Sequence, residues 1–289
     1  MSEGPAKLSA SNFLLVIKRD GCDEVTVPLA ELGVIVVSHP QVVYTQSVLS
    51  GLAQAGGTFI TCDEKHVPVG ILLPIAAHFA QTERFRKQAE APEPTRKRLW
   101  QQIIKAKIKA QGQLLMDLRK NDYGLIELSK TVKSGDTDNV EAQASKRYWP
   151  RLFEDPDFSR ERYGEDQNRF LNYGYAILRA IIARGICAAG LHPSLGLHHH
   201  NKYDSFCLAS DLMEPFRPFV DRVVFDVVEE FGKNAPMDKE VRGRLLSAFL
   251  GRLVFEKEER TFFEIAERTA SSLAQVFTDE RKDLILPEI

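Results

Sequence analysis

The sequence predicts an α+β chain, with a small β-rich N-terminal domain over residues 1–85 and a larger all-α domain over 86–289. Three features lead there. The first eighty residues hold short β-branched runs set off by turn residues. Ala91-Pro-Glu-Pro-Thr95 then interrupts the chain, and from Arg96 onward the apolar residues recur at helical spacing.

Taken in order, residues 13–18 read as an apolar strand, Asp20-Gly21 as a hairpin turn and 24–28 as the return strand. Residues 33–37 are a short buried strand. Residues 44–54 carry helical spacing at Val48, Leu49 and Leu52, and Gly56-Gly57 stops the helix. Residues 58–62 and 67–73 form a strand pair across Asp63-Glu64-Lys65. Beyond the break, 96–120 predicts a helix with Ile104, Ile108, Leu115 and Leu118 on one face. Arg98, Gln102, Lys105 and Lys109 line another stripe. Further helices are expected over 141–152, 165–189, 211–231, 238–255 and 259–278, with Asp138 or Asn139 capping the first. Within 165–189, Asn168 and Asn172 share a face beside Tyr173 and Tyr175. Either close packing at Gly174 or polar side chains turned to a site accounts for such poor helix formers.

Composition narrows the function. A chain of 289 residues, 44% hydrophobic and 27% charged, is ordinary for a globular protein. Cys22, Cys62, Cys187 and Cys207 are far apart and form no C-x-x-C pair, so reduced thiols are expected rather than a zinc site or a disulfide framework. The N-terminus has no signal-peptide pattern, and the longest apolar stretch, 176–191, is interrupted by Arg179 and Arg184, so no membrane span is expected. The net charge of −2 hides a segregation. Residues 83–120 hold eleven Lys/Arg against four Asp/Glu, a local +7, which leaves −9 for the remainder. Such a basic segment suits a polyanion.

The chemistry concentrates in Gly196-Leu-His-His-His-Asn-Lys-Tyr-Asp-Ser-Phe-Cys-Leu-Ala-Ser-Asp-Leu-Met-Glu-Pro-Phe-Arg-Pro218, which holds three of the seven histidines and two acids three residues apart. On a helix Asp211 and Glu214 share a face. Carboxylates and imidazole without thiolate suit Mg²⁺ or Mn²⁺ better than zinc. Such an ion polarises a phosphoryl oxygen for in-line displacement. No nucleotide-cradling glycine loop is present.

At these residues the chain resembles the CRISPR-associated integrase of spacer acquisition, CRISPR-associated protein one, in its type II form. Gly33-Val-Ile-Val-Val and Cys62-Asp-Glu-Lys-His-Val-Pro-Val-Gly70 fit the family's β domain. Glu141-Ala-Gln-Ala-Ser, Leu171-Asn-Tyr-Gly-Tyr175, Leu195-Gly-Leu-His-His199 and Asp211-Leu-Met-Glu-Pro-Phe-Arg-Pro218 follow in the family's order. The resemblance implies a metal-dependent DNA endonuclease and integrase serving antiviral defence. Its catalytic ligands fall on Glu141, His199 and Glu214, with Asp211, His198 and His200 as possible accessories and Mg²⁺ or Mn²⁺ as cofactor. It implies 3′-hydroxyl attack of captured double-stranded DNA fragments on the repeat boundaries of a CRISPR array. It also implies a homodimer contacting its partners through residues 1–85, bridged by the small CRISPR-associated protein two, in a prokaryotic cytoplasm. DNA contacts are expected from Arg98, Lys105, Lys109 and Arg217, with Tyr173 stacking on a splayed base. A stand-alone metal-dependent nuclease using water, or a non-catalytic DNA scaffold, are the alternatives.

Overall fold

The computed structural model describes residues 4–64, 66, 68–76, 78–161 and 164–287. Its N-terminal part is two small sheets around one helix. Strands β1 (Ala6–Ser11), β2 (Leu14–Lys18), β3 (Val25–Pro28) and β5 (Val42–Tyr44) form a sheet in the order β3-β2-β1-β5. Strands β4 (Val34–Val37), β6 (Thr58–Cys62) and β7 (Pro68–Leu72) form a second, in the order β4-β6-β7. Helix α1 (Gln46–Gln54) buries Val48 and Leu52 against Leu8, Leu15, Leu29 and Phe59.

The expected strands are present, with shifted edges. The structure adds β1, whose Ala-Lys-Leu-Ser-Ala-Ser carries no β-branched residue to betray it. Phe13, expected within a strand, instead sits with Asn12 in the turn joining β1 to β2. Both have positive φ (61° and 50°), as a two-residue hairpin turn of the primed type requires, and Phe13 is 87% exposed. Lys65 of the expected connection and Val67 of the expected strand 67–73 lie outside the described residues.

The second sheet is a wall shared by two cores. Side chains alternate across a strand, so Ile35, Val37 and Phe59 face the small core while Val34, Val36 and Ile60 face the helical part. That part is built on α3 (Glu93–Arg119), preceded by α2 (Gln81–Ala89). Leu99, Trp100, Ile103, Ile104, Ile108 and Leu115 of α3 are buried. Around it lie α4 (Leu125–Lys130), α5 (Val140–Leu152), α6 (Asn168–Ala188), α7 (Cys207–Leu212), α8 (Arg217–Phe231), α9 (Lys239–Ser247) and α10 (Phe262–Phe277). A Cβ at Gly174 of α6 would lie 2.5 Å from Val220 Cγ1 of α8, so glycine is what lets these two helices meet. Asn168 and Asn172 accept from Arg160 at 2.7 and 2.6 Å, so the polar residues of this helix also have a task.

Two expected helices are corrected. The helix over 238–255 ends at Ser247, and β8 (Arg252–Phe255) and β9 (Glu258–Thr261) form a hairpin turned by Glu256 and Lys257 at positive φ. The larger part is therefore mainly, not wholly, α. The helix over 211–231 is broken at Glu214–Phe216, a single 3₁₀ turn carrying Pro215, with Pro218 opening α8. The tail docks on its own chain: Leu284 N–H donates to Gln102 Oε1 and Ile285 N–H to Ser272 Oγ, both at 2.9 Å. Glu288 and Ile289 lie outside the described residues.

Candidate metal centre

Three elements meet over the middle of α3. Helix α5 brings Glu141 in its first turn. Asn139 stands at the N-cap position, as expected, but its side chain makes no cap bond, and Asp136 does that work. Its carboxylate accepts Val140 N–H at 2.9 Å and Glu141 N–H at 3.1 Å, while Asp138 pairs with Lys133. The proline-broken turn between α7 and α8 brings Glu214, only 4% exposed. Lys107 of α3 reaches both, with Nζ 2.5 Å from Glu141 Oε1 and 2.6 Å from Glu214 Oε2. The contact with Glu214 Oε2 is an ion pair, and that buried oxygen has no aligned hydrogen-bond donor. Arg217 Nε holds the other oxygen at 2.8 Å, and its guanidinium lies 4.4 Å above the Tyr175 ring.

Burial alone opposes ionisation of Glu214. The charges of Arg217 and Lys107 overcome it and hold the carboxyl at about 2. Burial likewise works against the Lys107 charge, and Glu214 and Glu141 outweigh it, raising its pKa.

The third element is the histidine loop. Asp211, fully buried on α7, accepts Leu197 N–H at 2.6 Å and His198 N–H at 3.0 Å through Oδ2, and His199 N–H at 3.3 Å through Oδ1. His199 Nδ1 lies 2.5 Å from the same Oδ1. A carboxylate already accepting three N–H groups accepts a fourth from Nδ1–H, so in the neutral ring Nε2 carries the free lone pair. The Asp211 bond raises the His199 pKa against the opposing effect of burial, and Glu214 and Glu141 add to the rise. His198 is stacked flat on Trp100, with ring centroids 4.3 Å apart and planes 1° from parallel. His199 meets Trp100 edge-on at 5.7 Å. His200 instead lines an open cavity of about 360 Å³ with Gln88, Arg96, Gly196, Asn201 and Lys202.

Among the described residues, no three His, Cys, Asp or Glu side chains close on one point as a ready metal cage. Lys107 occupies the space between the glutamates. The donor set still fits a hard divalent ion: two carboxylates that already hold a cation between them, and an imidazole whose tautomer Asp211 fixes and whose charge both glutamates favour.

The family model for CRISPR associated protein Cas1 matches residues 2–240. The chain belongs to the Cas1 family. It is 35% identical over 287 residues to the CRISPR-associated endonuclease Cas1 of Neisseria meningitidis serogroup C (strain 8013), covering 98% of this chain and 93% of that protein. Two solved structures share its fold. A casposase bound to an integration product superposes with a TM-score of 0.79 at 19% identity, covering 97% of this chain and 90% of the other. A Cas6-RT-Cas1–Cas2 complex does so with a TM-score of 0.75 at 18% identity, covering 99% of this chain and 35% of that one. Among the described residues of this Cas1 chain, no helix is long and apolar enough to cross a membrane.

Placed on this Cas1 fold, the expected residues divide. Glu141 and Glu214 meet at Lys107, His199 and Asp211 meet each other, and both glutamates act on the charge of His199. Arg217 is engaged by Glu214 and Tyr175 rather than left on an open surface. Tyr173 is corrected: it is 2% exposed, so its ring cannot stack on a base. Arg98, Lys105 and Lys109 share a stripe with Gln102, roughly 170° around α3 from Lys107 at 3.6 residues per turn. Gln102 bonds Asp283 and Leu284 there, so the stripe faces the tail and not the metal centre. Lys107 was missed. Its one signal was position: a lysine three and four residues after Ile104 and Ile103 belongs to the buried face, where a charge needs a partner.

Proposed function

We propose that this Cas1 chain is a metal-dependent DNA integrase of CRISPR spacer acquisition, joining the 3′-hydroxyl of a captured fragment to a phosphodiester at a repeat boundary. The observation that supports this most is the convergence of Glu141 and Glu214, from separate elements, on one point beside a histidine whose Nε2 is free. Glu141, Glu214 and His199 Nε2 would hold Mg²⁺ or Mn²⁺. When bound, the ion stabilises charge on the phosphoryl oxygens and lowers the pKa of the attacking hydroxyl.

The remaining groups arrange this donor set. Asp211 sets the tautomer of His199 and the path of residues 197–199. Arg217 orients Glu214 through one oxygen and leaves the other turned inward. Trp100 and His198 form a flat wall against which the His199 ring is fixed edge-on. No side-chain nucleophile is required, since the attacking group comes from DNA. Two attacks, one at each end of a repeat, need two such centres at a fixed spacing, which a homodimer bridged by Cas2 supplies. The integration product held by the casposase and the Cas2 held by the Cas1 complex support that assignment of partners.

The test is strand transfer of a labelled 3′-hydroxyl duplex into a supercoiled plasmid carrying the repeat, with Cas2 and Mg²⁺ or Mn²⁺. Label joins plasmid with the wild type, and joining is lost while DNA binding persists in Glu141→Gln and His199→Ala. Cleavage without joining would point to the stand-alone nuclease. Joining retained in Glu141→Gln would overturn the assignment.

A further inference from the structure

Lys107 belongs to the centre but has no part in the reading above. We propose that Lys107 is a resident cation: it holds Glu141 and Glu214 together until a divalent ion arrives, then vacates the space between them, so that ion affinity is set by competition with this side chain. The inference rests on the two glutamates being ligands, as proposed above.

The geometry argues for exchange rather than coexistence. Nζ lies 2.5 and 2.6 Å from one oxygen of each glutamate. A Mg²⁺ held by those carboxylates would sit about 2.1 Å from its ligand oxygens. Both cations would lie between the same two carboxylate oxygens, and two cations cannot share that space. Charge points the same way: releasing the Lys107 ammonium offsets one of the two positive charges that a divalent ion would bring to Glu141 and Glu214.

Lys107 is also equipped to leave. Its stem has four rotatable carbons and its charge travels with it. Arg217 could not do the same without abandoning Glu214 Oε1 and its seat over Tyr175. The ion-pair cluster is more exposed on the side of Glu141, whose side chain is 30% exposed against 5% for Glu214. An ammonium displaced that way arrives where a backbone phosphate approaches and can pair with it. The holding role has a physical cause as well. Without Lys107, Glu141 and Glu214 would face each other with no cation between them.

The experiment is Mn²⁺ titration by calorimetry, with thermal melting in the presence and absence of Mn²⁺. It uses the full chain as wild type, Lys107→Met and Lys107→Gln, with Glu141→Gln defining the site. Wild type binds Mn²⁺, and Glu141→Gln does not. Both Lys107 variants bind at least tenfold more tightly, melt below wild type without the ion, and gain more Tm from it. Lys107→Gln keeps hydrogen-bonding capacity, so it carries the test if Lys107→Met does not fold. Glu141-dependent binding that is equal or weaker in the variants would overturn the proposal while leaving the metal reading intact. Binding that is absent from wild type, or indifferent to Glu141→Gln, would instead sink the metal reading and this inference with it.

Discussion

Asp211 Oδ1 stands 2.5 Å from His199 Nδ1 while the other oxygen of the same buried carboxylate accepts the backbone N–H groups of Leu197 and His198. One side chain thus fixes both the course of the loop and the tautomer of the ring. In Asp211→Asn the amide turns N–H toward groups that are themselves donors. Loss of about 2 kcal/mol of stability is expected from the unsatisfied groups, with Mn²⁺ affinity falling 10–100-fold as His199 loses its orientation. Melting and calorimetry read the two effects separately. A Mn²⁺ affinity within twofold of wild type would show that the ring is oriented by something else.

Gly196 is needed for a close approach and not for an unusual φ. A Cβ there would lie 2.3 Å from His199 O and 3.0 Å from Asp211 Oδ2. Neither neighbour can retreat, one being backbone and the other tied by the bonds above. Gly196→Ala is therefore expected to cost about 1–3 kcal/mol by overpacking and to abolish strand transfer. Unchanged melting and joining would show that the loop has room to shift.

The three adjacent histidines are expected to separate by role. His198 is stacked on Trp100 and His200 lines the open cavity, whereas His199 is held by Asp211. His198→Ala should lose about 0.5–1.5 kcal/mol of ring stacking and weaken joining without abolishing it, and His200→Ala should keep both stability and joining. His199→Ala should lose joining without loss of DNA binding. Joining lost in His198→Ala and kept in His199→Ala would move the ligand by one residue.

Asp221 of α8 provides the pH dependence. Burial pushes its carboxyl up to about 6, against the lowering effect of hydrogen bonds from Tyr175 and Tyr148, and of Arg217 and Lys107. Between about pH 4 and 6 the folded chain therefore keeps a proton that the unfolded chain has lost, and stability falls as pH rises through that window. Below it both states hold the proton, and above it neither does. Two pKa units correspond to about 3 kcal/mol at most. Chemical denaturation of wild type and Asp221→Asn at pH 4, 5, 6 and 7 reads this. The difference in stability between the two chains should shift by that amount across the window and stay flat above it. A constant difference would mean that Asp221 is ionised throughout.

Much of the architecture was legible because β-branched runs and helical spacing report burial directly. What escaped did so for local reasons. β1 has no β-branched residue, and the turn at Asn12-Phe13 lacks the glycine that usually marks it. The hairpin of β8 and β9 hides between two helical patterns. In the site, residue types pointed to Glu141, Glu214, Asp211 and the histidines through motif order. Lys107 stayed hidden because a lysine on an apolar stripe reads as an imperfection until both its partners are placed. Spacing also grouped Arg98, Lys105 and Lys109 correctly on one stripe, yet it carries no information on which side of α3 faces the centre. Tyr173 and Tyr175 are two apart and diverge in surroundings: Tyr175 lies under Arg217, while burial raises the Tyr173 pKa with Cys62 of β6 adding to it.

That division of α3 makes the DNA path testable. Arg96 and Lys202 line the cavity beside His200, next to the centre, whereas Arg98 and Lys105 lie on the far side with the docked tail. A backbone whose phosphate reaches Glu141 and Glu214 passes the first pair and not the second. Each phosphate contact contributes about 0.9 to the slope of log affinity against log salt on duplex DNA. Arg96→Ala with Lys202→Ala should therefore lower the slope by about 1.8 and weaken binding across sequences alike, since neither side chain need read a base. Arg98→Ala with Lys105→Ala should leave slope and joining as in wild type, unless a second stretch of DNA runs along the tail. In that case slope would fall while joining of a short fragment persists. Duplex affinity at four salt concentrations, for both double variants, separates these paths. Loss of slope in the Arg98 and Lys105 pair together with loss of joining would place the reacting DNA on the opposite face and overturn the path argued here.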